Sequence, residues 1–247
     1  MSFNEKKILV VGASSGIGRQ VALHLDSLGA ETILVARREN KLLELKKELK
    51  QKSICIPFDL SRIEEIEKIF LTLAEKGIKL DGLVYSAGIC EGNLIKNASV
   101  VQMQKMLNVN LLAFYMVGKY FYLPKYSNKG SCIVAISSIS SLKNEPGMSS
   151  YSISKGGMNL AVQVMAKEFL KRKLRVNAVL PAQVMSKMAC EDNVWKEEEI
   201  SDVEKYQPLG VIPIDQVVNC VEFLLSNKAA FITGECISIS GGYKEKN

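Results

Sequence analysis

The residues that could do chemistry in this chain begin with a Tyr and a Lys. Tyr151 and Lys155, in YSISK, stand four apart with only small or apolar residues between them. On a helix that spacing puts both on one face. A free phenol titrates near ~10 and is a poor acid-base catalyst at neutral pH. A neighbouring ammonium favours the phenolate and lowers that value, and a positively charged nicotinamide would lower it further. The pair therefore suits proton exchange with a carbonyl or alcohol oxygen. The same residues on a solvated helix face would do nothing, so the pair needs a context.

A glycine-rich turn supplies one. VVGASSGIG places Gly12, Gly16 and Gly18 between an apolar run, KKILVVG, and an amphipathic stretch reaching about Leu28. The spacing is G-x-x-x-G-x-G rather than G-x-G-x-x-G, but the physics is shared. Gly12 permits a tight turn, Gly16 lets the backbone approach a pyrophosphate, and Gly18 lets the helix pack on the sheet. The helix start at Gly16, Ile17 and Gly18 offers free N–H groups and a positive dipole end. Ser14 and Ser15 add hydroxyl donors. A glycine turn without a ligand is the plain alternative.

The next strand ends VARREN. Ala36 stands where an acid would hold the ribose hydroxyls of NAD, and Arg37 and Arg38 follow. Arg37 could pair with a 2′-phosphate and stack on adenine, which points to NADPH ahead of NADH. Two arginines opening a solvated helix is the alternative. Asp59, at the end of the third strand, could accept a hydrogen bond from an adenine amino group or cap the following turn.

The elements that must position these residues alternate strictly. Strands are predicted at 6–12, 31–36, 53–58, 81–88, 130–138, 174–180 and 235–239. Helices are predicted at 16–28, 39–51, 62–76, 98–123, 150–172 and 213–226, and residues 183–207 read as irregular. Continuously apolar strands between helices indicate a parallel sheet covered on both faces. Right-handed crossovers make it an α/β doubly wound sheet, a Rossmann fold, in a single domain over 1–247.

Composition excludes several classes. Net charge is +6, and the basic clusters, such as KLLELKKELKQK, alternate with Leu and Glu at helical spacing. That reads as a solvated face, with no basic stripe and stacking aromatics for nucleic acid. The six cysteines are scattered without a CxxC, and His24 is the one histidine, so a metal site is not expected. A Ser-His-Asp hydrolase would have to use His24, and nothing near it resembles a nucleophile turn. No apolar stretch is long enough for a membrane span. MSFNEKKILVVG enters a strand at once without a signal-peptide layout, and a cytoplasmic location is expected.

Taken together, VGASSGIG, YSAG, NVNLLAF, ISS, YSISK and RVNAVLPA occur in the order and spacing of the short-chain dehydrogenase/reductase family, and the resemblance runs through to ITGECISISGGY. It implies four catalytic residues. Ser138, thirteen residues before Tyr151, would steady the substrate oxygen, with Ser137 the competing choice. Tyr151 would give or take the proton. Lys155 would hold the nicotinamide ribose and depress the Tyr151 pKa. Asn110, preferred to Asn108, would orient a water joining Lys155 to solvent. It also implies a cofactor cleft lined by Gly12, Ser14, Ser15, Gly16, Ile17, Gly18, Arg37, Asp59, Leu60, Ala87, Gly88, Tyr151, Lys155, Pro181, Val184 and Ser186.

The chain departs from the family pattern at Val11, at Tyr85-Ser86 and at Ala182. The first two stand where the family has polar partners, and their joint loss would be compensatory because no buried group is stranded. The layout is most similar to 3-oxoacyl-[acyl-carrier-protein] reductases. That implies NADPH-dependent reduction of a small or acyl-carrier-bound carbonyl. Lys129, Lys171, Arg172 and Lys173 could meet an acidic carrier, and ordinary solvated helix ends are the favoured alternative. A sugar or polyol dehydrogenase is the alternative within the family, and an NADP(H) sensor without turnover the alternative outside it. Residues 183–207, with Met185, Met188 and Trp195, would form a substrate lid. A homodimer or homotetramer would assemble through the helices near 98–123 and 150–172.

Overall fold

The computed structural model describes residues 2–143, 145–185 and 197–244, with the side chains of 197–199 excepted. Its strands are β1 (Lys7–Val11), β2 (Glu31–Ala36), β3 (Ser53–Pro57), β4 (Leu80–Tyr85), β5 (Ser127–Ile136), β6 (Arg175–Pro181) and β7 (Cys236–Ile239). All pairings between them are parallel, in the order β3-β2-β1-β4-β5-β6-β7. The helices are α1 (Gly16–Ser27), α2 (Glu39–Glu48), α3 (Glu67–Ala74), α4 (Val100–Leu107), α5 (Ala113–Tyr122), α6 (Ser149–Glu168), α7 (Glu197–Glu204) and α8 (Ile214–Leu225).

β1 shows why the strands read as unbroken apolar runs. Leu9 and Val11 face one core, and Ile8 and Val10 face the other. α1, α2 and α8 cover the second face, and α3, α5 and α6 cover the first. With both faces dry, the alternation of a half-exposed strand disappears. α6 lies close to the segment before it, because Gly157 packs on Leu111 and Gly118 on Met165. A Cβ at either glycine would come within 2.7 or 2.8 Å of those side chains.

Two elements differ from the sequence expectation. The periodicity predicts one helix over 98–123, whereas the structure places a π turn, Asn108–Leu112, between α4 and α5. Residues 183–207 read as irregular, yet 197–204 are helical. Its sequence, EEEISDVE, is too polar to register as an amphipathic helix.

The order of the strands reverses between β1 and β4. A crevice therefore opens outside their carboxyl ends, where α/β sheets bind ligands. The loops after β1 to β6 all reach this edge.

Candidate active site

The turn after β1 is shaped by contacts that exclude side chains. Gly12 has φ +91, and a Cβ there would lie 2.5 Å from the nitrogen of Ala87. At Gly18 a Cβ would lie 2.3 Å from the carbonyl oxygen of Gly12. These two glycines let β1, α1 and the end of β4 meet. Gly16 has φ +54 with open space around it, so the backbone there stays approachable. Ser15 caps α1 without a side-chain hydrogen bond to the helix N–H groups, and no acid occupies the first helical turn. The N–H groups of Gly16, Ile17 and Gly18 thus face the crevice with the positive end of the helix dipole. Gly12 and Ala13 donate to the carbonyl of Val35 at 2.8 and 3.2 Å, tying the turn to β2.

At the end of β2 it is Arg38, not Arg37, that reaches the turn. Its Nη2 donates to the hydroxyls of Ser14 (2.9 Å) and Ser15 (3.0 Å). Arg37 is exposed and lies near Asp59. Burial alone would raise the Asp59 carboxyl, but hydrogen bonds from the Ser61 backbone and hydroxyl, then the charge of Arg37, hold it below the usual carboxylate range. Asp59 therefore caps its own turn while facing an arginine. Leu60 is buried beside it. Nothing in the sequence separates Arg37 from Arg38 except one position, and the structure divides the roles between them.

The residues expected to handle the proton meet at the carboxyl ends of β5 and β4. Ser138 follows β5, is 8% exposed, and shares a side-chain hydrogen bond with Tyr151. Ser137 turns inward, and its hydroxyl donates to the carbonyl of Lys155 at 3.3 Å. Of the two serines, Ser138 is the one brought to the phenol. Lys155 is 3% exposed, and its Nζ lies 5.8 Å from the centre of the Tyr151 ring. That Nζ donates to the carbonyl of Ile136 at 2.8 Å. No carboxylate pairs with it among the described residues.

Burial pushes Tyr151 up to about 12, opposed by the bond with Ser138. Burial also pulls Lys155 down to about 8. Sequence reasoning weighs the charge of Lys155 on the phenol. In the chain alone desolvation sets the direction of both shifts. Cys90, on the loop after β4, is close enough to influence the charge of both.

Asn110 sits in the middle of the π turn and is fully buried. Its Oδ1 accepts from the N–H of Ile89 at 2.8 Å, and its Nδ2 donates to the carbonyl of Ile89 at 2.9 Å and to the Ser154 hydroxyl at 2.9 Å. Ser154 in turn donates to the carbonyl of Tyr151 at 2.7 Å. Asn108 is only partly buried. A Cβ on Gly88 would lie 3.4 Å from the Asn110 Oδ1 and 3.5 Å from the Lys155 Nζ, so the Ala87-Gly88 corner borders both. Sequence reasoning missed Ser154, although it lies inside YSISK.

Pro181, the last residue of β6, and Val184 just beyond it are buried. Gln207 pins this segment: it donates to the carbonyl of Gln183 at 3.1 Å and accepts from its N–H at 3.0 Å. The two ends of the expected lid are thus joined. Met185 is exposed, whereas Ser186, Met188 and Trp195 lie outside the described residues. A separate cavity of about 350 Å³ is lined by Ile95, Glu145, Pro146, Ser149, Ser152 and Ile153. None of these lining residues belongs to the Ser138, Tyr151 and Lys155 cluster.

A glycine cradle with unused backbone donors, arginines beside it and a buried ammonium with donors to spare fit a nicotinamide dinucleotide. The comparisons agree. A family described as enoyl-(acyl carrier protein) reductase matches residues 12–244. A 3-oxoacyl-[acyl-carrier-protein] reductase of Rickettsia felis is 33% identical over 96% of each chain. An L-xylulose reductase of Caenorhabditis elegans is 34% identical over 98% of this chain and 96% of its own. A short-chain type dehydrogenase/reductase from Mycobacterium ulcerans superposes with a TM-score of 0.91 at 25% identity, covering 100% of this chain and 94% of that one. A 4-hydroxyisoleucine dehydrogenase complexed with NADH gives 0.88 at 29%, covering 98% and 100%. The chain belongs to the short-chain dehydrogenase/reductase family and is an NAD(P)-dependent oxidoreductase acting on alcohol and carbonyl groups.

Proposed function

We propose that the protein is an NADPH-dependent reductase of carbonyl substrates, with a 3-oxoacyl thioester on an acyl carrier as the preferred one. The observation that carries the reaction is the cluster of Ser138, Tyr151 and Lys155 beside the glycine cradle. The bound dinucleotide would supply the hydride to the carbonyl carbon. Tyr151 keeps its proton across the neutral range and gives it to the substrate oxygen. Ser138 donates to that oxygen as charge develops on it. Lys155, charged below about 8, uses its remaining N–H groups on the ribose hydroxyls and favours loss of the phenolic proton.

Support for NADPH lies in the two arginines. Arg38 spans the hydroxyls of Ser14 and Ser15, and Arg37 stands exposed beside Asp59. A phosphate on the ribose would meet both guanidinium groups, while no acid at Ala36 competes. Hydrogen bonds to a charged group are worth about 2 kcal/mol net, or roughly thirtyfold in affinity. Arg37→Asp should therefore lower kcat/KM for NADPH by roughly thirtyfold or more and change that for NADH by less than about threefold. Steady-state rates with a short β-ketoacyl thioester and each coenzyme read this directly. Equal losses for both coenzymes would remove the 2′-phosphate reading, and no thioester reduction would remove the acyl reading.

The carrier contact rests on Lys129, Lys171 and Lys173, which are exposed. Arg172 is otherwise engaged. It donates to the carbonyl of Tyr122 and to both the hydroxyl and the carbonyl of Ser127, holding the start of β5. Reduction of a sugar ketone is the second reading, favoured by the equal likeness to the nematode L-xylulose reductase. Assembly into a homodimer or homotetramer is supported by an apolar stripe on α6. Ile153, Leu160 and Val164 are at least half exposed and share a face, with Leu112 and Tyr115 exposed on the neighbouring segment. A cytoplasmic location stays part of this proposal. No helix among the described residues is long and apolar enough to cross a membrane.

A further inference from the structure

β4 ends on a phenol where the family pattern has a small polar residue. Tyr85 is fully buried, and burial pushes its hydroxyl far above the usual phenol range. It is too deep to reach the crevice, so it takes no part in proton transfer. A buried hydroxyl is costly unless it is paired. Tyr85 pairs by donating to the carbonyl of Val109 at 2.6 Å. The Val11 and Tyr85 departures thus do not simply delete two polar partners. Val11 is buried and accepts through its carbonyl from the Ser86 N–H at 2.8 Å, and the phenol is directed to a helix instead.

Val109 belongs to the π turn and directly precedes Asn110. A π turn widens the helix and disturbs the regular i to i+4 ladder, so contacts from outside bear on its geometry. Here the support comes from one strand end at two points. Tyr85 holds the carbonyl of Val109, and Ile89, four residues further along, holds the carboxamide of Asn110 through its N–H and carbonyl. Two anchors, one on the residue before Asn110 and one on its own carboxamide, fix its rotation about the helix axis. The third bond of Asn110, to Ser154, passes that orientation to the carbonyl of Tyr151.

We propose that Tyr85 is a positioning residue for the proton-transfer site, clamping the π turn so that Asn110 holds the Gly88-Ile89 corner over Lys155. This rests on the reading of the crevice as a carbonyl-reducing site. The ring of Tyr85 packs edge-on against Phe114, with centroids 5.3 Å apart, so Tyr85→Phe keeps the packing and removes only the hydrogen bond.

Three readouts on Tyr85→Phe decide it. Loss of one buried hydrogen bond is expected to lower kcat by about tenfold, with KM for the carbonyl substrate and the NADPH dissociation constant within about twofold. Amide hydrogen exchange is expected to accelerate by about tenfold at residues 109–114 and at Ile89 while the central strands stay protected. In an Asn110→Ala background the same substitution is expected to cost no further kcat, because the clamp then has nothing to hold. An unchanged kcat, an additive loss in that background, or faster exchange spread over the whole sheet would each overturn the proposal. A wild-type protein without carbonyl turnover would defeat the functional reading instead. The exchange pattern at 109–114 and Ile89 would then decide the clamp alone.

Discussion

Tyr151→Phe is expected to abolish carbonyl reduction while leaving the fold and dinucleotide binding in place. In the proposed reaction the phenol hands a proton to the substrate oxygen, with Ser138 bonded to it and Lys155 beneath its ring. Removing a positioned general acid costs about 10²- to 10⁴-fold in rate, and among the described residues no acid of comparable strength stands at this point to replace it. Ser138 can still bond the substrate oxygen but is a far weaker acid. The cradle for the diphosphate, at Gly12, Gly16 and Gly18, is built from other elements and does not depend on the hydroxyl. Phe fills the same half-buried volume, so stability should change by less than about 1 kcal/mol. Single-turnover rates and NADPH titration by fluorescence separate the two effects. A rate within tenfold of wild type would remove Tyr151 from the reaction.

Lys155→Met should act on activity and stability in opposite directions. Burial holds the folded-state pKa of Lys155 near 8, below the ordinary 10.5. The amine is 3% exposed, so little solvent screening softens that cost. Below about pH 8 the lysine is charged whether folded or unfolded, and the folded protein bears the full cost of burying that charge. As pH rises from about 8 to 10.5 the folded chain loses its proton before the unfolded chain does, and the cost fades. The difference corresponds to about 3 kcal/mol. The lost bond to the carbonyl of Ile136 offsets about 1 kcal/mol of it.

Met fills the space without a charge. At pH 7 the variant should be more stable by about 2 kcal/mol, a rise in Tm of about 4 °C. The gain should vanish as pH rises toward 10.5, the ordinary value for the lysine, and above it the lost bond should leave the variant about 1 kcal/mol less stable than wild type. Turnover should meanwhile fall by about 10²-fold or more, because the charge that favours phenolate formation is gone. Melting curves of the unliganded protein at several pH values test the first claim. A variant less stable than wild type at pH 7, or a gain independent of pH, would show that the ammonium is not buried at a cost.

Much of this architecture is legible in the residues themselves. The runs ILVV (8–11) and ILVA (33–36) have no polar break, as strands covered on both faces do. The glycines at 12 and 18 are legible for a similar reason, since the close approaches they allow leave no room for a Cβ. Ser138 is readable from its distance to Tyr151, and the structure shows why Ser137 differs: its hydroxyl points inward to the backbone of Lys155. The π turn is hidden because hydrophobic periodicity cannot distinguish one extra residue in a turn from ordinary helix. Tyr85 reads as a lost polar partner because its acceptor is a backbone carbonyl, which has no sequence signature. Arg38 is passed over for Arg37 because only the path of the chain after β2 decides which one turns to Ser14 and Ser15. The upward shift of Tyr151 is likewise invisible, since burial depends on everything packed around the phenol and the Lys spacing reports one neighbour alone.

The most direct measurement follows the hydride itself. The wild-type protein is incubated with NADPH carrying deuterium at C4 of the nicotinamide and a short β-ketoacyl thioester, and the product is examined by mass spectrometry. One deuterium on the new carbinol carbon, from one face of the coenzyme only and absent with Tyr151→Phe, is the expected result. Dinucleotide binding without deuterium in the product of this or any other ketone offered would contradict carbonyl reduction as the function of the site.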